Sequence, residues 1–325
     1  MNINICFTPD DNYAQHLAVT IVSILKNAGA DDEFSFYVLD SGISDLNKNK
    51  ISELQKIKKF NIKYVKLDTS VLDSLPIVLN HFTTAIYYRF MTADLLPDID
   101  KIIYLDCDLV VCSSLKELFS EDVSDYYIGA VEDIGSYYNH LVLKPEFEKL
   151  QINSGVMVLN LAMWRKDGLG AKLIKFAVET KEELIFGDQD VINKTLTCKR
   201  LDFKWNVQSF PAFHVYNNVV FHPLKDEIIE AVRRPSIIHY ITKCKPWKCD
   251  VPFGHLYIKY RQMTPFKYKN SEVFFQQFKY FILRCREAVK FVLFPAFIIY
   301  RSKGWIRLGI FNLADLKIFP SKNVK

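Results

Sequence analysis

The run Lys101-Ile-Ile-Tyr-Leu-Asp-Cys-Asp-Leu-Val-Val111 constrains this chain more than any other stretch. Ile102 to Leu105 are almost continuously apolar, the pattern of a strand buried on both faces of a sheet. The run then meets two carboxylates, Asp106 and Asp108. A strand interior is a poor place for unpaired charge, and leaving two ionised acids there costs several kcal/mol. Residues two apart in extended backbone point the same way, which sets Asp106 and Asp108 together and Cys107 opposite. A cation between them relieves the repulsion. Hard oxygen ligands of this kind suit Mg²⁺ or Mn²⁺, often with phosphate completing the shell. The competing reading is a strand that stops at Leu105, with both acids in a solvated turn.

The flanking sequence supports an α/β architecture. Asn2 to Phe7 reads as a strand that stops at Thr8-Pro9-Asp10-Asp11-Asn12. Ala14 to Asn27 follows with Leu17, Ile21, Ile24 and Leu25 at helical spacing, so the chain opens as strand, acidic loop and helix, the start of a βαβ unit. The Gly-x-Gly-x-x-Gly fingerprint and the P-loop are both absent. Asp10 and Asn12 suit either of two roles, nucleoside contacts or helix caps. Further strands are expected at 34–39, 62–67, 127–131, 156–159, 203–207 and 212–215, and at Ile237-Ile238. Helices are expected at 45–60, 81–95, 114–119, from 161, at 171–181 and after Gly187. Arg89 lies among Tyr87, Tyr88, Phe90 and Met91, where an unpaired Arg is rare; a phosphate, an acid or the surface would satisfy it. In Gly187-Asp188-Gln189-Asp190, helix-start chemistry explains both acids but not Gln189. His239 ends its strand and is followed by Lys243, Lys245 and Lys248 around Pro246. Residues 134–150 are polar and aromatic without a period, as in a lid or acceptor loop.

A chain of 325 residues, half of them apolar, can build one large α/β domain with an appendage. Its seven cysteines occur singly, without metal-site spacing, which favours a reducing compartment with Cys6 and Cys107 as buried small hydrophobes. No signal peptide is evident, and no window is apolar enough to span a bilayer. The net charge of +5 is uneven: residues 256–325 carry 14 Lys/Arg against 3 Asp/Glu, leaving 28 against 34 in residues 1–255. The tail interleaves Phe274, Phe275, Phe278, Tyr280 and Phe281 with Arg284, Arg286 and Lys290, and later Trp305 with Arg301, Lys303 and Arg307. Aromatic anchors flanked by cations suit helices lying on an anionic membrane leaflet. Nucleic acid is disfavoured, because the main domain is slightly acidic and no nucleic-acid-binding motif occurs.

Taken together, Pro-Asp-Asp-Asn-Tyr at 9–13, Val-Leu-Asp-Ser-Gly-Ile at 38–43, Tyr-Tyr-Arg at 87–89, Tyr-Leu-Asp-Cys-Asp at 104–108, Asn-Ser-Gly-Val at 153–156, Asp-Gln-Asp at 188–190, and His-Tyr with Lys-Pro-Trp at 239–247 form a set. In these motifs the chain resembles glycosyltransferase family 8, the retaining galactosyl- and glucosyltransferases of bacterial lipopolysaccharide core synthesis, with glycogenin a more distant relative. The resemblance spans roughly residues 2–250. It implies a single Rossmann-like nucleotide-diphospho-sugar transferase domain of the GT-A type over 1–255, with a helical, membrane-associated extension over 256–325. It implies Mn²⁺ or Mg²⁺ on Asp106, Asp108 and His239, and a UDP-hexose donor. Thr8, Asp10 and Asn12 fall on the nucleoside side, and Lys245 on the diphosphate. Asn153, Asp188 and Arg89 fall on the donor sugar, Gln189 beneath the anomeric carbon and Asp133 near the acceptor. The implied acceptor is a lipid-linked oligosaccharide at the cytoplasmic face of the inner membrane. A protein, teichoic-type polymer or glycogen-like acceptor is the alternative, and a non-catalytic sugar-nucleotide or polysaccharide binder a further one. One position departs from the family pattern: Thr242 stands where Gly is usual.

Overall fold

The computed structural model describes residues 1–66, 84–135, 151–209, 223–241, 243–249 and 251–269. Two sheets organise them. The larger has seven strands in the order β3-β2-β1-β4-β7-β6-β8. These are β1 (Asn2–Phe7), β2 (Glu33–Asp40), β3 (Asn61–Lys66), β4 (Lys101–Leu105), β6 (Ile128–Glu132), β7 (Ile152–Asn160) and β8 (Lys199–Arg200). From β3 to β4 neighbouring strands run parallel, joined by helices. On its other side β4 pairs antiparallel with β7, which pairs antiparallel with β6. The smaller sheet has β10 (Ile237–His239) between β5 (Leu109–Val111) and β9 (Val207–Gln208).

The sequence explains the centre of this arrangement. Ile3, Ile5, Cys6 and Phe7 of β1, and Ile102 to Leu105 of β4, are fully buried, as expected of strands covered on both faces. The helix Ala14–Lys26 is buried everywhere except Gln15 and Lys26, which is a core helix rather than an amphipathic surface one. Its polar residues are spent on the turn after β4. Thr20 Oγ1 donates to the carbonyls of Cys107 and Leu109, at 3.1 and 3.0 Å, and Ser23 Oγ accepts from Val111 N at 2.9 Å. The helix therefore clamps the backbone that carries Asp106 and Asp108.

Several elements differ from what periodicity predicts. The 45–60 helix divides into α-helix at Asp45–Ser52 and a 3₁₀ turn at Glu53–Lys56, and Leu46 of its apolar stripe stands 66% exposed. The segment around Arg89 is 3₁₀ over Thr84–Met91, then a short helix at Thr92–Leu95. β7 begins at Ile152, so the polar Asn153-Ser-Gly lies within the strand; hydrogen bonding to neighbouring strands overrides local polarity there. Phe203–Asn206 is a 3₁₀ turn, not a strand. The helix Gly254–Arg261 buries Tyr257, Ile258 and Tyr260 against the main core, beyond the step in charge at residue 255. Side chains there pack on the first helix, and local charge does not record that contact. The polar loop at 136–150, the strand at 212–215, Thr242 and the basic-aromatic segment from 274 lie outside the described residues.

Candidate active site

The strand at 101–105 ends at Leu105, and the next begins at Leu109. Asp106 and Asp108 therefore sit in a turn, but it is not a solvated one: Asp108 is buried and Cys107 packs into the core on the other side. The turn lies at the carboxyl ends of β1 and β4, the crevice where open α/β sheets bind ligands. β10 brings His239 to the same point by pairing with β5, with His239 opposite Leu109. His239 Nε2 is 3.1 Å from Asp108 Oδ1 and 3.7 Å from Asp106 Oδ2. One ligand atom from each of Asp106, Asp108 and His239 lies within 4.8 Å of the others. Two carboxylates and one imidazole form a donor set that suits a hard-to-borderline divalent cation, with room for substrate oxygens.

Gly155 permits this convergence. It lies in β7 beside β4, and its carbonyl accepts from Asp106 N at 2.9 Å. A Cβ at this position would stand 2.1 Å from His239 Cε1 and 2.9 Å from Asp106 Oδ2. Any side chain here would occupy the imidazole's place.

Two cations flank the acids. Lys245 Nζ is 2.5 Å from Asp108 Oδ2 and donates to Tyr240 O at 2.6 Å. Burial opposes ionisation of Asp108, but Lys245 and His239 outweigh it and hold the carboxyl well below the usual range. Arg89 is the second cation, and it is buried. Its Nη2 meets Asp106 Oδ1 at 3.1 Å, while Nη1 donates to Ser154 O at 2.8 Å and faces Asp188 Oδ2 at 3.1 Å. The guanidinium lies over the Tyr104 ring, 4.3 Å from its centroid. Arg89 thus joins Asp106 to Asp188. Burial raises Asp188 to about 6, with Arg89 partly offsetting it.

Asp188 does not cap its helix. Gly187 does, at φ 62°, a left-handed conformation open to glycine, and this turn directs Asp188 inward. Asp190 ties the preceding turn instead, accepting from Ile185 N and Phe186 N at 2.6 and 2.7 Å. Gln189 is also buried. Its Nε2 donates to Asp133 Oδ2 at 2.8 Å, and its Oε1 accepts from Asn153 Nδ2 and Ser154 N, both at 3.2 Å. Gln189, Asn153 and Asp133 are therefore one connected group.

For the residues expected to meet a nucleoside the result is mixed. Thr8 Oγ1 lies 2.7 Å from Tyr104 OH, which itself donates to Asp106 Oδ1 at 3.1 Å. Asp10 Oδ1 accepts from Tyr13 N at 2.9 Å in the turn before the helix, whose N-cap is Tyr13, so Asp10 does not cap it. Asn12 is exposed. Sequence reasoning gave no role to Tyr104, Gly155, Asn206 or the ring cluster around Trp247. In that cluster Trp247 stacks on His16 at 3.6 Å and meets Tyr13 edge-on at 6.4 Å. Lys-Pro-Trp carried the signal for that cluster, since a Trp in a lysine-rich loop needs something to pack on. Cys244 and Cys249 form a disulfide around this loop, with Cα atoms 5.4 Å apart, where the scattered cysteines had suggested a reducing compartment. The turn at Lys245, whose carbonyl accepts from Lys248 N and Cys249 N, brings them together. Cys6 and Cys107 are free and buried, as expected.

The description "Glycosyl transferase family 8" matches residues 4–250 of this chain. The chain belongs to glycosyl transferase family 8. General stress protein A of Bacillus subtilis is 31% identical over 263 residues, covering 78% of this chain and 91% of the relative. The lipopolysaccharide 1,3-galactosyltransferase of Salmonella typhimurium is 26% identical over 278 residues, covering 82% of this chain and 79% of the relative. Among solved structures, galactosyltransferase LgtC in complex with donor and acceptor sugar analogs superposes with a TM-score of 0.71 at 24% identity, covering 83% of this chain and 98% of that one. The family 8 domain here thus has the GT-A-like architecture, one α/β unit on a mixed sheet. Among the described residues no helix is long and apolar enough to cross a membrane.

Proposed function

We propose that this family 8 enzyme transfers a hexose, galactose or glucose, from a UDP-hexose to a lipopolysaccharide-core-type sugar, retaining the α configuration. One observation carries the reading. The acids and imidazole suited to a cation stand between a lysine on one side and the Arg89–Asp188–Gln189 group on the other. A donor diphosphate belongs against the first group and its sugar against the second. The acceptor class is supported by relatives named as a lipopolysaccharide 1,3-galactosyltransferase and a lipopolysaccharide 1,2-glucosyltransferase.

Mn²⁺ or Mg²⁺ held by Asp106, Asp108 and His239 would neutralise the charge that gathers on the departing UDP. Lys245 adds a second positive group on the same side. Asp188 Oδ2 faces Arg89 as charge rather than as an aligned hydrogen-bond partner, so this buried oxygen is available to a sugar hydroxyl. Gln189 is a poor nucleophile, which disfavours a covalent glycosyl intermediate. Its Oε1, fixed by two donors, is preorganised to stabilise positive charge developing at the anomeric carbon. The acceptor hydroxyl then attacks from the face that UDP leaves, and a phosphate oxygen of the leaving group takes its proton. Asp133 orients Gln189 on the acceptor side. Thr8, Asp10 and Asn12 border the nucleoside, and Arg89 and Asn153 the donor sugar. The basic tail holds the enzyme on the anionic cytoplasmic face of the inner membrane, where a lipid-linked acceptor is found.

UDP release from UDP-galactose, UDP-glucose and UDP-N-acetylhexosamines, measured with Mn²⁺, tests the class. The expected result is release from a UDP-hexose that disappears in Asp108→Asn. A folded wild-type protein that releases UDP from none of them would favour a non-catalytic binding protein.

A further inference from the structure

Asn206 lies outside every motif described above, yet it is fully buried and touches two site residues. It ends the 3₁₀ turn Phe203–Asn206, immediately before β9. Its Nδ2 donates to Asn153 Oδ1 at 2.9 Å, and its Oδ1 lies 3.1 Å from His239 Nδ1. Side-chain amides look alike end to end, so their direction must come from partners that have only one role. Three such partners are present. Gly155 N, a pure donor, points at Asn153 Oδ1 at 3.1 Å, and Ser154 N, another, points at Gln189 Oε1 at 3.2 Å. The Asp133 carboxylate, an acceptor when ionised, takes the hydrogen of Gln189 Nε2 at 2.8 Å.

These anchors orient the whole series. With Asn153 Oδ1 turned to Asn206, the Asn206 group that meets it must be the NH₂. Asn206 therefore presents its oxygen to His239, and Nδ1 of that ring must carry the hydrogen. Nε2 faces Asp106 and Asp108, 3.1 Å from Asp108 Oδ1, and is the nitrogen whose lone pair a bound cation would take. Reversing any amide would set oxygen against oxygen, or hydrogen against hydrogen, in a buried environment, which is expensive.

We propose that Asn206 is a positioning residue for the cation site, and that the one-way chain Asp133–Gln189–Asn153–Asn206 fixes His239 with its hydrogen on Nδ1 and Nε2 turned towards Asp106 and Asp108. The inference rests on reading Asp106, Asp108 and His239 as the cation site. Residues that hold the second nitrogen of a ligating imidazole characteristically tune metal affinity by orienting the ring.

The test is a Mn²⁺ titration of the full chain, followed by electron paramagnetic resonance of free Mn²⁺, for wild type, Asp108→Asn and Asn206→Leu. Asn206→Leu should weaken Mn²⁺ binding about 10- to 100-fold while retaining wild-type circular dichroism. A folded Asn206→Leu that binds within about threefold of wild type overturns the proposal, because partners that orient a ligating imidazole are worth more. Wild type that binds no better than Asp108→Asn overturns the cation site itself, and the two failures are thereby distinguished. A second measurement does not depend on how the variant folds. In ¹⁵N-histidine spectra of the Mg²⁺-loaded wild-type chain, with the signal assigned by its loss in His239→Ala, His239 Nδ1 should be the protonated nitrogen. Protonation at Nε2 instead refutes the proposal.

Discussion

Gly155→Ala is a one-carbon change aimed at the centre of the site. The added methyl would lie 2.1 Å from His239 Cε1 and 2.8 Å from its Nδ1, whereas ordinary contact begins near 3.4 Å. Relief requires about 1.3 Å of relative movement, and metal–ligand distances tolerate only about 0.2 Å. Neither side yields easily. β7 is paired with β4 on one edge and β6 on the other, with Val156 opposite Leu105. His239 belongs to a strand paired on both sides, and Asn206 meets its Nδ1. Overpacking of this kind costs about 1–3 kcal/mol of stability, so the protein should still fold. A misplacement of about 1 Å in a catalytic group costs on the order of 100-fold in rate. UDP release should fall by at least that factor, with Mn²⁺ affinity falling alongside. A double-mutant cycle sharpens the test: once His239→Ala removes the ring, adding Gly155→Ala should do little further harm. Folded Gly155→Ala with normal Mn²⁺ affinity and normal turnover would show that His239 is not a ligand in this position.

Three further outcomes are expected. Gln189→Ala should lower turnover far more than donor affinity, as expected of a group that acts on the transition state; equal losses in both would contradict that role. Asp188 titrates near 6 in the folded chain, against 3.8 ordinarily, so the folded state keeps a proton that the unfolded state has lost. Its contribution to stability is then full below about pH 4 and lost as pH rises through about 6. The stability of metal-free wild type relative to Asp188→Asn should fall across that window, and a constant difference would refute the shift. Removing residues 274–325 should abolish binding to vesicles containing phosphatidylglycerol while sparing UDP release; undiminished vesicle binding would locate the membrane contact elsewhere.

Local patterns in the sequence determined most of the secondary structure. The strand at Asn2–Phe7 and the helix from Ala14 follow from periodicity, because burying one face or both requires apolar residues at fixed spacing. The pairing of Asp106 with Asp108 was equally legible, since charge at the end of a buried strand is an energetic anomaly visible in a single window. The family motifs then pointed to His239, Lys245, Asp188 and Gln189 as partners. Tertiary structure alone decided how these residues meet. It placed Arg89 between Asp106 and Asp188, made Gly155 the opening for an imidazole, and linked the amides of Gln189, Asn153 and Asn206 in a series that ends at His239 Nδ1. It also closed Cys244 onto Cys249 and carried the main core beyond residue 255. The physical reason is the range of the forces involved. Strand and helix signals are written between residues a few positions apart. A buried charge or amide is satisfied only by whatever the fold brings against it, and His239 lies 131 positions from the aspartate it meets.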